Sequence, residues 1–193
     1  MAGNQQPLNI DGRQASNLLQ FVAESWAISV EPFLRSEFGW NYIGAKGATV
    51  VLLIPVFLMF WEGHDPRPLL WFLVAYLVMC AVARAQAWRR RSRGDGNHSY
   101  YSGWPHAMKI FRGLSEVTVK QWIEPGLVGI VAALIGNNNP PLAVYLFGAA
   151  VCLFMSVFSK EESVRRRVMA MNDAVTEQEL IAERFRELRG ENF

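Results

Sequence analysis

The sequence predicts an all-α integral membrane protein: four transmembrane helices arranged as two helical hairpins, with an N-terminal amphipathic helix and a C-terminal cytoplasmic helical tail. Three observations carry that prediction. No charged residue occurs from Gly47 to Trp61, from Leu69 to Ala83, or from Pro125 to Ser159, so helices built from these blocks lack the solvated face that a soluble surface helix needs. With their flanks the blocks reach or approach the roughly 20 helical residues that cross a hydrocarbon core of about 30 Å. Short turn-forming runs, EGHDPRP at residues 62–68 and GNNNPP at residues 136–141, divide them into pairs. Averages conceal this pattern, because 193 residues with a net charge of +2 and 51% hydrophobic content would equally suit a soluble domain.

Residues 1–40 form an N-terminal amphipathic, interfacial segment. Within it, ASNLLQFVAESWAISVEPFL at residues 15–34 places Leu18, Phe21, Val22, Trp26, Val30 and Phe33 on one side at helical spacing. Such a stripe ahead of a first span suits a helix lying in the membrane interface or docked on a partner; capping the bundle is the alternative. The first forty residues lack an uninterrupted apolar core behind a basic start, so no cleavable signal peptide is expected.

The first hairpin occupies residues 41–88. Span one runs from about Ile43 to Trp61, with Lys46 near one end and Pro55 inside; a membrane helix tolerates that proline when neighbours satisfy the freed carbonyl. Span two runs from Pro68 to about Trp88. The second hairpin, residues 117–159, is less regular. Between Pro125 and Gly136 only twelve residues are uncharged, about 18 Å of helix. Either the helix begins near Val117, with Lys120 snorkelling to the interface and partly neutralising Glu124 one turn deeper, or PGLVGIVAALIG is re-entrant. The full span is preferred, since span four otherwise has no partner to set its starting side.

Lysine and arginine give the orientation. Arg84, Arg89, Arg90, Arg91, Arg93, Lys109, Arg112 and Lys120 lie between spans two and three, whereas the two turns hold only Arg67. The positive-inside rule makes the basic loop, residues 89–116, cytoplasmic, and four crossings place both termini there as well. The expected setting is a multi-pass protein of a bacterial inner membrane. Residues 160–193 form the tail, where Val164, Val168, Met171 and Val175 continue a helical pattern. Thr176 to Glu179 form a capping box that predicts a second helix, with a break near Asn172 to Thr176.

Candidate chemistry concentrates in the basic loop, GDGNHSYYSGWPHAM at residues 94–108. His98 and His106 could serve as acid and base or as metal ligands, with Arg89 to Arg91 gripping a phosphate. Two histidines with only Asp95 and Glu116 nearby make a poor zinc site, so no catalytic residue, metal or cofactor is expected. Tyr100, Tyr101 and Trp104 suit headgroup-level anchors, and Arg89, Arg90, Arg91 and Arg93 suit anionic lipid or a partner, at about 1 kcal/mol per basic residue. Cys80 and Cys152 sit in apolar blocks and read as packing residues.

Glu124 is the one ionisable residue with intramembrane character, and such residues mark functional sites by default. Small residues recur at Gly126, Gly129, Ala133 and Gly136 in span three and at Gly148, Cys152 and Ser156 in span four; such stripes permit close helix packing. The sum is a non-catalytic structural or assembly subunit of a larger membrane complex, contacting lipid and other subunits or copies of itself. No nucleic acid or small-molecule substrate is implied. Accessory subunits of secretion- or conjugation-type machinery share this build, by analogy only. A pore-forming oligomer and a small lipid- or phosphate-handling enzyme are the alternatives.

Overall fold

The computed structural model describes residues 12–94 and 100–190. In chain order its elements are α1 (Gly12–Ile28), α2 (Glu31–Leu34), β1 (Arg35–Ser36), α3 (Gly44–Met59), α4 (Arg67–Ser92) and β2 (Trp104–Pro105). A 3₁₀ turn (His106–Lys109), α5 (Glu116–Thr118), a π turn (Val119–Ile123), α6 (Glu124–Ile135) and α7 (Pro140–Leu188) follow. The protein is mostly helical, 78%. The chain divides into two units, Met1–Ser156 and Val157–Phe193.

Three helical stretches are long and apolar enough to cross a membrane: α4, the path Glu116–Ile135, and α7. This is what a membrane protein requires. The block expected as span one forms α3, an apolar helix of 16 residues, about 24 Å long. It stops short of Trp61 because Phe60 and Trp61 turn back to bond Phe57 O and Leu58 O at 3.2 and 3.0 Å. Gly47 makes the approach to α4 possible: Tyr76 Oη of α4 donates to Gly47 O at 3.2 Å, and a Cβ on Gly47 would lie 3.2 Å from that hydroxyl.

The third stretch is helical from Glu116 onward, matching the start near Val117 rather than a short re-entrant segment. It is not a uniform α-helix. Pro125 has no N–H to bond the carbonyl four residues back, and the ladder widens ahead of it, so that Glu124 N–H reaches Val119 O across a π turn.

The N-terminal segment departs most from the interfacial reading. Leu18, Leu19 and Phe21 are exposed, but Ser25, Ala27, Ile28, Ser29 and Val30 are buried in the core of the first unit. Two hydroxyls within this stretch are satisfied locally, Ser25 Oγ donating to Phe21 O at 2.8 Å and Ser29 Oγ to Trp26 O at 2.6 Å, which lets polar residues sit at low dielectric. Trp26 donates from Nε1 to Tyr145 O of α7 at 3.1 Å. Rings from five helices meet there: Tyr145 lies 5.6 Å from Trp26, 5.3 Å from Phe57 and 5.7 Å from Phe72, and Phe72 stacks on Phe33 of α2 at 5.6 Å. Glu24 pairs with Lys46, tying α1 to the start of α3. An amphipathic stripe specifies one apolar face, and here part of that face meets the chain's own helices.

Within the second unit the chain is helical to Leu188. The break expected near Asn172 to Thr176 is absent, and Thr176 does not cap a new helix; its Oγ1 bonds back to Asn172 O at 3.0 Å. Asn, Asp and Thr cost only tenths of a kcal/mol each in a helix interior, and no glycine or proline stands among them to end it. Residues 163–187 are exposed throughout.

Of the small residues, Gly148 is the crowded one. A Cβ there would lie 2.6 Å from the Trp26 ring, whereas Gly126 and Gly129 would meet nothing within 4 Å. Gly148→Ala should therefore lower the thermal midpoint of the detergent-solubilised protein, by overpacking worth about 1–3 kcal/mol. Gly126→Ala and Gly129→Ala should leave the midpoint unchanged or raise it, because alanine is the better helix former.

Candidate functional site

The first unit buries a cluster of charges drawn from three distant parts of the chain. The single turn of α2 places Glu31 and Arg35 four residues apart on one side, and Pro32 helps start that turn. At Arg35 the backbone becomes extended, with φ −130° and ψ 157°. The segment then pairs antiparallel with the basic loop, Arg35 opposite Pro105 and Ser36 opposite Trp104. This close approach requires Gly103: its φ is +86°, and a Cβ would lie 2.8 Å from Ser36 O. Glu37 takes a left-handed φ of 63° as the chain turns away, and Gly39 N–H then bonds Tyr101 O at 2.9 Å.

Arg35 is the centre. Its Nε and Nη2 donate to Glu124 Oε2 at 2.8 and 2.6 Å, and Nη1 donates to Glu31 Oε1 at 3.1 Å and to Ser102 O at 3.4 Å. Tyr42 Oη donates to the same Glu31 oxygen at 3.1 Å. The side chains of Arg35, Glu31 and Glu124 are 1% exposed or less. Two carboxylate oxygens, Glu31 Oε2 and Glu124 Oε1, are buried without a hydrogen-bond partner, so two acids share one guanidinium.

A second group adjoins through Ser102. Lys120 Nζ donates to Ser102 Oγ at 2.9 Å and to Glu116 Oε1 at 2.6 Å, and lies 5.1 Å from the centre of the Tyr101 ring. Tyr101 Oη donates to Glu116 Oε1 at 3.0 Å. Burial alone would lower the Arg35 pKa, but the Glu31 and Glu124 carboxylates more than offset it and hold Arg35 charged above its ordinary value. Burial, then Glu31, raises the Tyr42 phenol well above its usual range. Burial and the bond to Glu116 push Tyr101 up to about 12.

Of the residues singled out by sequence, Glu124 lies at the heart of this cluster, but its partner is Arg35 and not Lys120. Lys120 is buried and turned to Glu116 rather than snorkelling outward. Tyr101 is a working member of the network. Arg90 Nη2 caps Phe38 O at 3.0 Å, and Arg91 lies over the Trp40 ring. Arg89 and Arg93 are exposed, as are Tyr100 and Trp104. His106 is exposed at the start of the 3₁₀ turn, and His98 lies outside the described residues. Among the described residues no group of His, Cys, Asp and Glu comes together that could hold a metal ion.

Glu31, Arg35, Tyr42 and Ser102 were not legible as site residues. One local signal existed: Glu31 and Arg35 form a helical-spaced acid–base pair inside an otherwise apolar run, VEPFLR. What the cluster does chemically is fasten. It ties α2, the basic loop and the start of α6 through charge-assisted hydrogen bonds in a poorly solvated place, where such bonds are strong.

Arg35→Gln leaves two acids buried without their cation and should cost about 3–5 kcal/mol, read as a large drop in thermal midpoint. Glu124→Gln keeps an acceptor and leaves one acid facing Arg35, so its loss should be much smaller; equal losses would contradict the asymmetry. Tyr101 adds a pH dependence. Its folded pKa lies above the unfolded value of roughly 10, so its contribution is full below about pH 10 and fades as pH rises through about 12. Tyr101→Phe should abolish that part of the alkaline unfolding curve.

No family model, characterised protein or solved structure matches this chain.

Proposed function

We propose that the chain is a non-catalytic subunit embedded in a larger membrane assembly, which docks partner subunits or further copies of itself through its cytoplasmic parts. In this reading it crosses the bilayer four times as two hairpins, with α3 as the shortest span. The basic loop and both termini then face the cytoplasm, as the arginines flanking α4 favour. The carrying observation is the second unit. Val164, Val168, Met171 and Val175 recur along α7 at helical spacing, Ile181 and Phe185 form a second apolar pair rotated from them around the helix, and each of the six is more than half exposed. Exposed apolar patches of that kind call for a cover.

Charge favours a protein cover over a bilayer. Arg165, Arg166 and Arg167 precede Asp173, Glu177, Glu179, Glu183 and Glu187, the last of these interleaved with Arg184 and Arg186. Mixed signs beside an apolar seam suit another helix, whereas a helix lying on anionic lipid is rich in lysine and arginine. Glu124 offers less to a pore, since it faces Arg35 and is fully buried.

Removing residues 160–193 should abolish co-purification with native partners in mild detergent while the helical content of the remainder persists. Val168→Asp with Phe185→Asp should act alike in the full chain. Retention of all partners by both variants would end the docking proposal. Topology is checked separately in a cysteine-free background: His64→Cys should react with an impermeant thiol reagent from outside, and Ser92→Cys only after permeabilisation. Reaction of both from outside would reverse or break the four-crossing scheme.

A further inference from the structure

Where α4 nears its basic end, its residues Cys80, Ala81, Ala83 and Ala87, together with Ile43 ahead of α3, line an apolar cavity of about 220 Å³. Small side chains leave this space open. Trp40 and Arg84 also line it, with Phe38, Gly39 and Gly44. Arg84 and Arg91 lie seven residues apart on one face of α4, and both bring their guanidinium to the Trp40 ring, at 5.8 and 5.5 Å from its centre.

Among the described residues neither guanidinium has a carboxylate within ion-pair distance. The ring attracts each cation but neutralises neither, so two like charges share one platform without a counter-anion among the described residues. Depth matters as well. Arg91 is next to the last residue of α4, Ser92; Arg84 lies about 10.5 Å and Cys80 about 16.5 Å behind Arg91 along the helix axis. With α4 crossing the bilayer from Pro68 to about Trp88, Arg91 stands at headgroup level, Arg84 lies about one turn inside the span with a side chain long enough to snorkel toward the interface, and the cavity extends into the hydrocarbon.

We propose that this groove holds one anionic phospholipid, its phosphate bridging Arg84 and Arg91 beside Trp40 and an acyl chain lying along Ile43, Cys80, Ala83 and Ala87. A charged head and an apolar tail are both needed to satisfy what the site presents. The proposal rests on α4 as a membrane span and is independent of any docking by α7.

The test is native mass spectrometry of the full chain in detergent, with phosphatidylglycerol offered against phosphatidylcholine of the same acyl chains. The native protein should retain one phosphatidylglycerol with at least about a ten-fold preference, equivalent to about 1.4 kcal/mol. Arg84→Gln with Arg91→Gln should bring the preference close to one. Ala81→Phe, which fills the cavity from an exposed position while keeping both arginines, should also release the lipid. Equal retention of the two lipids by the native protein, or an unchanged preference in the double glutamine variant, overturns the proposal. So does millimolar inorganic phosphate displacing phosphatidylglycerol while Ala81→Phe still binds phosphate, since the ligand would then be the free anion.

Discussion

A guanidinium withdrawn from water needs its countercharge in place, and the architecture of the first unit is organised around meeting that condition for Arg35. Desolvating an ion of this size costs several kcal/mol even after relaxation. Two carboxylates and a backbone carbonyl, from three separate segments, converge to offset it. Each segment that supplies an acceptor is thereby positioned. The turn of α2 must present Glu31, the loop must bring Ser102 alongside, and the helix bearing Glu124 must begin at that level. Paired burial of this kind is weak evidence of stability against an apolar replacement, but it is demanding of geometry.

That demand accounts for features that otherwise look unrelated. Gly103 admits the backbone of Ser36, the two-residue sheet lays the loop against the arginine, and the π turn before Pro125 sets the direction in which Glu124 leaves its helix. Residues 101–105 of the loop thus pack along the N-terminal segment. Tyr101 faces inward to Glu116 and Lys120 while Tyr100 remains exposed. The aromatic cluster around Tyr145 performs the matching task deeper in the unit, where apolar contact and one indole hydrogen bond hold α1 to α7.

The sequence revealed what depends on short-range regularity. Charge-free blocks marked α4 and the membrane part of α7 because desolvated helices exclude charge along their whole length, and Lys120 and Glu124 could be placed within the third helix because that block was otherwise too short. Pairings across long separations were hidden. Arg35 and Glu124 are 89 positions apart, and nothing in the periodicity around either names the other. Trp26 was visible as part of an apolar stripe, but a stripe carries no information on whether lipid, a partner or the chain's own helices will cover it. At Asn172 to Thr176, cap-forming residues suggested a stop that the surrounding strong helix formers override.

The separation of Arg35 from Glu124 also bears on biogenesis. Synthesis at about 5–20 residues per second means that Arg35 leaves the ribosome many seconds before its principal counterion exists. During that interval α3 and α4 are made and Glu31 alone accompanies the cation. The N-terminal segment must therefore wait at a hydrated surface, or in the care of the insertion machinery, until the third helix arrives. Closure of the first unit is in this sense a late event, and a chain arrested before residue 124 holds Arg35 with Glu31 but without Glu124.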